Sequence, residues 1–200
     1  MQRQNKHPGQ AMPESQPGEG ERDALEKVAS RVGPGGFAAM LDPTMRETLA
    51  HGFAEAGAHE GTVWLVDEQG DNLVPAYNTG PQAAEVVGNF KQPLRTGLVC
   101  MVFASEQPFV ENEVGRNLQQ SKLLDERLQV ETWAMIAVPF YILGRCRGVV
   151  SCVQLKRSPS RASPPGFPPE SLASVQRACE RLTDLLDLRL LREALARGHD

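Results

Sequence analysis

The side chains in this sequence that could carry covalent or metal chemistry are few and scattered. Cys100, Cys146, Cys152 and Cys179 form no CxxC pair, and no histidine stands at metal-ligand spacing from them. Four cysteines in 200 residues are too sparse for a disulfide framework, so reduced thiols are expected. Cys100 and Cys152 lie inside apolar runs, where a thiol packs as a small core group. His7, His51, His59 and His199 fall in tails or near a helix end, none beside a candidate nucleophile. No glycine-rich phosphate loop follows a strand, and no paired acidic motif signals metal-assisted hydrolysis. These residue types point away from catalysis and metal binding, and they name no cofactor.

Non-covalent binding has better candidates. The middle of the chain supplies Phe90, Cys100, Met101, Phe103, Asn112, Asn117 and Ser121, apolar walls interspersed with short hydrogen-bonding groups. Small-molecule pockets have that mixture: mostly apolar surface, with a few polar atoms fixing orientation.

The elements that must position these residues can be read from periodicity and turn chemistry. A short helical pattern over 21–30 ends at Gly33-Pro34-Gly35-Gly36. A firmer helix follows, with Asp42 as N-cap, Pro43 at its first position, and Met45, Leu49 and Phe53 on one stripe. TVWLV (62–66) and NLVPAY (72–77) flank a polar, glycine-bearing loop and read as a hairpin, with Pro75 placing the second strand at an edge. Short helices are expected around 82–87 and over 98–105, brief strands near 89–92 and at 109–110, and a polar helix over 117–128 whose Leu124 and Leu128 face inward. TWAMIAVPFYI (132–142) and RGVVSCVQLK (147–156) are strong strands joined through residues 143–146. Strands joined by short turns imply an antiparallel sheet with helices on its faces.

The segment 157–169 holds five prolines and reads as a solvated loop. A long helix over 170–196 then places Leu172, Val175, Cys179, Leu182 and Leu186 on a stripe widened by Leu185, Leu188 and Leu191. So wide a stripe can cover its own sheet and still meet a partner helix, which makes a homodimer through 170–196 the expectation. Residues 1–20 are polar and rich in Gln, Pro and Gly, the composition of a disordered tail. The remainder, 21–197, reads as one domain with its core in 40–156.

A net charge of −4 with both signs mixed along the chain argues against nucleic acid as a partner. The N-terminus lacks a signal-type apolar region, and no stretch reaches the length of a membrane span. A soluble, cytoplasmic protein is expected.

Four segments in order resemble the GAF domain family. TVWLVDEQGDNLVPAYNTG is similar to its opening hairpin, and QPLRTGLVCMVFASEQPFVENEV to its glycine, short helix and proline-containing strand. TWAMIAVPFYILGRCRGVVSCVQLKR is similar to its paired strands, and FPPESLASVQRACERL to the start of its closing helix. The resemblance implies an α/β (α+β) GAF/PAS-like fold: a central antiparallel sheet of five or six strands, helices on both faces and a long C-terminal helix. It also implies a small ligand held between the sheet and the middle segment, with Thr132 and Met135 joining the pocket residues named above.

In members that bind cyclic nucleotides, a set of polar residues closes over the nucleotide. Asn117, Lys122, Asp125, Glu126 and Thr132 stand at related positions, but Ser121 replaces the expected Phe. The plainer reading of Lys122, Asp125 and Glu126 is a solvated helix face. In members that reduce free methionine sulfoxide, a second cysteine is needed before the fifth strand, and LDERLQVETWAM has none. The resemblance therefore implies a non-catalytic sensor that signals to a separate output protein. The alternatives are a constitutive interaction module whose pocket is plugged by Trp133, Met135 and Phe103, and a thiol-based redox sensor or reductase.

Overall fold

The computed structural model describes residue 25, residues 27–156 and residues 162–197, the side chain of Arg197 apart. The expected tail, half of the first helical pattern and residues 157–161 of the proline-rich loop lie outside the described residues.

After Gly33 the chain forms α1 (Pro34–Met40) and then α2 (Pro43–Glu55). Asp42 opens α2 as its N-cap, its carboxylate accepting from the Met45 N–H at 2.9 Å, and Pro43 occupies the position where a missing N–H costs nothing. Helix α2 buries Met45, Leu49 and Phe53 on one stripe. Gly52 continues that stripe because α2 crosses another helix there, and a Cβ at this position would stand 2.3 Å from the Cβ of Ala178.

Strands β1 (Glu60–Val66) and β2 (Asn72–Asn78) make the expected hairpin. Asp67 organises its turn, accepting from the N–H groups of Asp71 and Asn72 and from Asn72 Nδ2. Burial raises the pKa of this carboxyl, but those hydrogen bonds and Lys91 outweigh it, so the net shift is downward. Strand β2 is not the edge expected from Pro75: β3 (Gln92–Pro93) pairs outside it, though only with Asn72 and Leu73. Pro75 instead sits where the β1–β2 register slips and no outer strand needs its N–H.

The middle of the chain carries α3 (Ala83–Val86), α4 (Leu98–Ser105), β4 (Phe109–Glu111), a 3-10 turn (Val114–Arg116) and α5 (Leu123–Leu128). The helix expected over 117–128 is thus only its second half. The Asn117 side chain accepts from the Gln119 N–H and its C=O from the Gln120 N–H, a local turn that outcompetes helix. The long strands β5 (Glu131–Ile142) and β6 (Arg145–Lys156) meet through a two-residue turn, so Arg145 and Cys146 belong to β6 and not to the connection. Leu143 and Gly144 both have positive φ, 48° and 73°, the backbone of a tight hairpin. The Leu143 N–H donates to Asp187 of the closing helix α6 (Glu170–Arg197), which anchors the turn.

The six strands run in the order β3-β2-β1-β6-β5-β4, every neighbouring pair antiparallel. Alternation sends side chains to two faces. On one, Val63, Leu65, Ile136, Phe140 and Val150 pack under α1, α2 and α6. On the other, Trp64, Leu73, Ala137 and Val149 pack under the middle segment, against Phe90, Val99, Val102 and Leu128. No helix among the described residues is long and apolar enough to cross a membrane.

Candidate ligand cavity

A cavity lies on the second face, between the sheet and the middle segment. Its floor is the sheet, with Thr62 and Trp64 from β1, Pro75 from β2, Thr132 and Met135 from β5, and Ser151 from β6. Its roof is Val86, Gln92, Leu98 and Val99, then Gln120, Ser121, Leu124, Asp125 and Leu128. Gly97 brings the two halves of the roof together. Its φ of +91° suits only glycine, and a Cβ there would meet Ser121 Cβ at 3.1 Å. The space left is about 60 Å³, room for a few water-sized groups.

Polar groups on the lining are arranged in pairs. The Trp64 indole N–H donates to Ser151 Oγ at 2.9 Å, and Asn78 Nδ2 donates to Thr62 Oγ1 at 2.8 Å. Gln92 Nε2 donates to the C=O and hydroxyl of Thr96. Asp125 is the hub of the roof. Its carboxylate accepts from the Thr132 N–H (2.9 Å), the Thr132 hydroxyl (2.7 Å) and Gln120 Nε2 (3.1 Å). Burial pushes its pKa up and the neighbouring Glu131 adds to this; the three hydrogen bonds offset the rise only in part. Gln120 Oε1 is shut off from solvent and has no hydrogen-bond partner, alone in this among buried side-chain N and O atoms of the described residues.

Of the side chains singled out from the sequence, the structure brings Ser121, Thr132 and Met135 to the cavity. Cys100 and Met101 line an open groove on the outer side of the roof, together with Gly97 and Gln120. Phe90 packs edge-on against Trp64, with ring centroids 6.2 Å apart, and Phe103 packs in the same apolar cluster, but neither is on the lining. Asn112 and Asn117 are engaged elsewhere. Asn112 exchanges two hydrogen bonds with the Phe167 backbone, holding the loop before α6, and Asn117 Nδ2 donates to Glu111. Of the suggested plugs, Met135 alone reaches the cavity; Trp133 packs on the other face with Lys156 over its ring. Lys122 and Glu126 are exposed, but Asp125 is not part of a solvated face, because Thr132 and Gln120 draw its carboxylate inward. Asp125 and Gln120, with Thr62, Trp64 and Ser151, are among the lining residues that sequence reasoning left out of the site. The spacing of Asp125 to Thr132 was the available signal.

The thiols are quiescent. Cys100 donates to the Pro93 C=O at 3.3 Å, and burial raises its pKa to about 11; burial takes Cys152 and Cys179 to about 12. No group of three or more potential metal ligands occurs among the described residues.

The sequence profile of the GAF domain family matches residues 40–184, most of the chain. The chain belongs to the GAF domain family. Solved GAF domains share its architecture at low identity. That of a phosphoenolpyruvate-protein phosphotransferase from Coxiella burnetii is 15% identical, with a TM-score of 0.57 over 91% of this chain and 96% of that one. The blue-light absorbing form of the PixJ GAF domain from Thermosynechococcus elongatus is 11% identical, with a TM-score of 0.58 over the same shares, 91% and 96%. The free methionine-R-sulfoxide reductase of Neisseria meningitidis, in complex with its substrate, is 17% identical with a TM-score of 0.51, over 94% and 98%. These likenesses establish the GAF fold, a fold used for small-ligand sensing and regulation. No curated protein matches the sequence.

Proposed function

We propose that this GAF domain is a non-catalytic sensor that takes a small molecule into the cavity between sheet and middle segment and signals through α6 to a separate protein in the cytoplasm. The observation that carries the reading is the buried, unpartnered Oε1 of Gln120, a residue of the cavity lining. A buried acceptor without a donor costs about 1–3 kcal/mol, and a ligand that supplied the donor would recover it. Strand β5 offers the route outwards: Thr132 and Met135 line the cavity, and Ile136 and Phe140 on its other face pack in the core that contains α6. Coupling requires only that the ligand favour one of two arrangements of these elements. The raised thiol pKa values disfavour the alternative of a thiol-based reductase or redox sensor, which needs a stabilised thiolate.

Native mass spectrometry of freshly purified protein tests the reading. A reproducible adduct lost on denaturation supports it; bare protein whose melting temperature no metabolite mixture raises would sink it. The small volume of the cavity favours a second reading, an interaction module whose pocket is filled by its own side chains, and that outcome would support it.

We also propose a homodimer through α6. Leu182, Leu186 and Leu190 of this helix are buried in their own core, but Leu188, Leu191 and Leu195 are 47%, 40% and 58% exposed on a stripe of helical spacing. Light scattering should give twice the chain mass for the wild type and the single chain mass for Leu191→Asp, with stability changed by no more than about 0.5 kcal/mol. A monomeric wild type would exclude the dimer.

A further inference from the structure

We infer that the cavity selects a small hydrogen-bond donor, an ammonium or primary amide on a short apolar body, and turns away carboxylates and phosphates. The inference rests on the sensor reading and adds the ligand's chemical class.

The polarity of the site is set by Asp125. An ionised carboxylate only accepts hydrogen bonds, so Gln120 must turn its NH₂ towards Asp125 Oδ2, where it lies at 3.1 Å. The amide oxygen is thereby committed away from Asp125, and nothing in the protein meets it. This unpaired acceptor therefore calls for a donor.

An anion would find no such welcome. The Trp64 indole N–H is taken by Ser151, and Asn78 Nδ2 and Gln92 Nε2 donate to Thr62 and Thr96. The Thr132 N–H and hydroxyl are both directed at Asp125. The Asp125 carboxylate brings a negative charge to the lining. A carboxylate or phosphate moved into this space would lose its hydration beside a negative charge, with no cation of the lining to compensate.

The remaining wall sets the body of the ligand. Trp64, Leu124, Leu128, Val130 and Met135 present apolar surface. About 60 Å³ accommodates roughly four to six non-hydrogen atoms beyond the walls, at about 10–15 Å³ for each water-sized group. Because Gln120 Oε1 is closed to solvent, the turn over residues 117–122 must shift slightly to let the donor reach it. Gln120 also lines the outer groove, so that turn is the wall between the cavity and the outside.

Three probes of similar shape test the class: isobutylammonium, isobutyramide and isobutyrate, each titrated into the full chain at neutral pH. Binding is followed by NMR of the Trp64 indole N–H and the Gln120 side-chain amide. The ammonium and the amide should shift both signals saturably, and isobutyrate should bind at least about tenfold more weakly. In Gln120→Met, which keeps the length of the side chain and removes the acceptor, ammonium and amide binding should fall by about tenfold or more, with a dispersed spectrum reporting an intact fold. Isobutyrate binding as well as the amide would overturn the inference and leave a sensor of another ligand class standing. Undiminished binding to Gln120→Met would overturn it too. If no probe shifts either signal in the wild type, the inference falls, while the sensor reading is decided separately by the native mass spectrum.

Discussion

The two faces of the sheet are built to different specifications. Beneath α2 and α6, helices of 13 and 28 residues assisted by the shorter α1, apolar stripes meet apolar strand positions, and Phe37, Leu49, Phe140, Leu182 and Leu186 reach zero exposure. Beneath the middle segment, helices of four to eight residues alternate with turns, polar side chains come inside, and space is left over. A helix of that length presents too few side chains to seal a sheet, and each break between helices carries backbone groups that need polar partners. The first face therefore supplies stability, and the second leaves a cavity whose lining can change at smaller cost to the fold.

Substitutions can sharpen this contrast. Leu182→Asp buries a charge with no partner in the closed face and should unfold the protein or cost about 4 kcal/mol or more, measured by chemical denaturation. Phe140→Ala on that face should cost about 3–5 kcal/mol, whereas Leu128→Ala, whose side chain already borders empty space, should cost only about 2 kcal/mol. Equal losses for these two would mean that the faces are equally packed. The smallest effect concerns pH. Burial raises the pKa of Asp125, so folding favours its protonated form; its stabilising share is full below the unfolded carboxyl pKa and is lost as pH rises through the folded value. The melting temperature of the wild type should therefore gain on that of Asp125→Asn as the pH falls. Asp67 has the opposite sign: with its pKa lowered, its contribution is present above the unfolded pKa and fades as pH falls through the folded one, so the wild type should lose ground to Asp67→Asn on acidification.

The closed face was the more legible of the two from sequence. Its signals are periodic and local: Asp42-Pro43 before a stripe at four-residue intervals, and the leucine pattern of the last helix, both at their expected positions. The four-segment resemblance likewise carried the fold family. The site was less legible because its partnerships span the chain. Trp64 meets Ser151, and no spacing rule joins residues that far apart. Asn112 has the residue type of a ligand contact, but the Phe167 backbone takes both of its hydrogen-bonding groups. Asp125 has the composition of a solvated helix, and only the seven-residue return to Thr132 shows otherwise. Pro75 was misplaced for a similar reason, since a register slip removes a ladder bond as effectively as an edge does.

The two tryptophans fall one on each side of this division. Trp64 stands in the cavity with its indole on Ser151 and Phe90 against its ring, and Trp133 packs on the helix-covered side beneath the Lys156 ammonium. The molecule therefore carries a separate optical reporter in each layer, with no label required. Trp133→Phe leaves emission that follows what enters the cavity, and Trp64→Phe leaves emission that follows the layer containing α6. Read side by side during a titration, the two variants would time the arrival of a signal on one side of the sheet against its departure on the other.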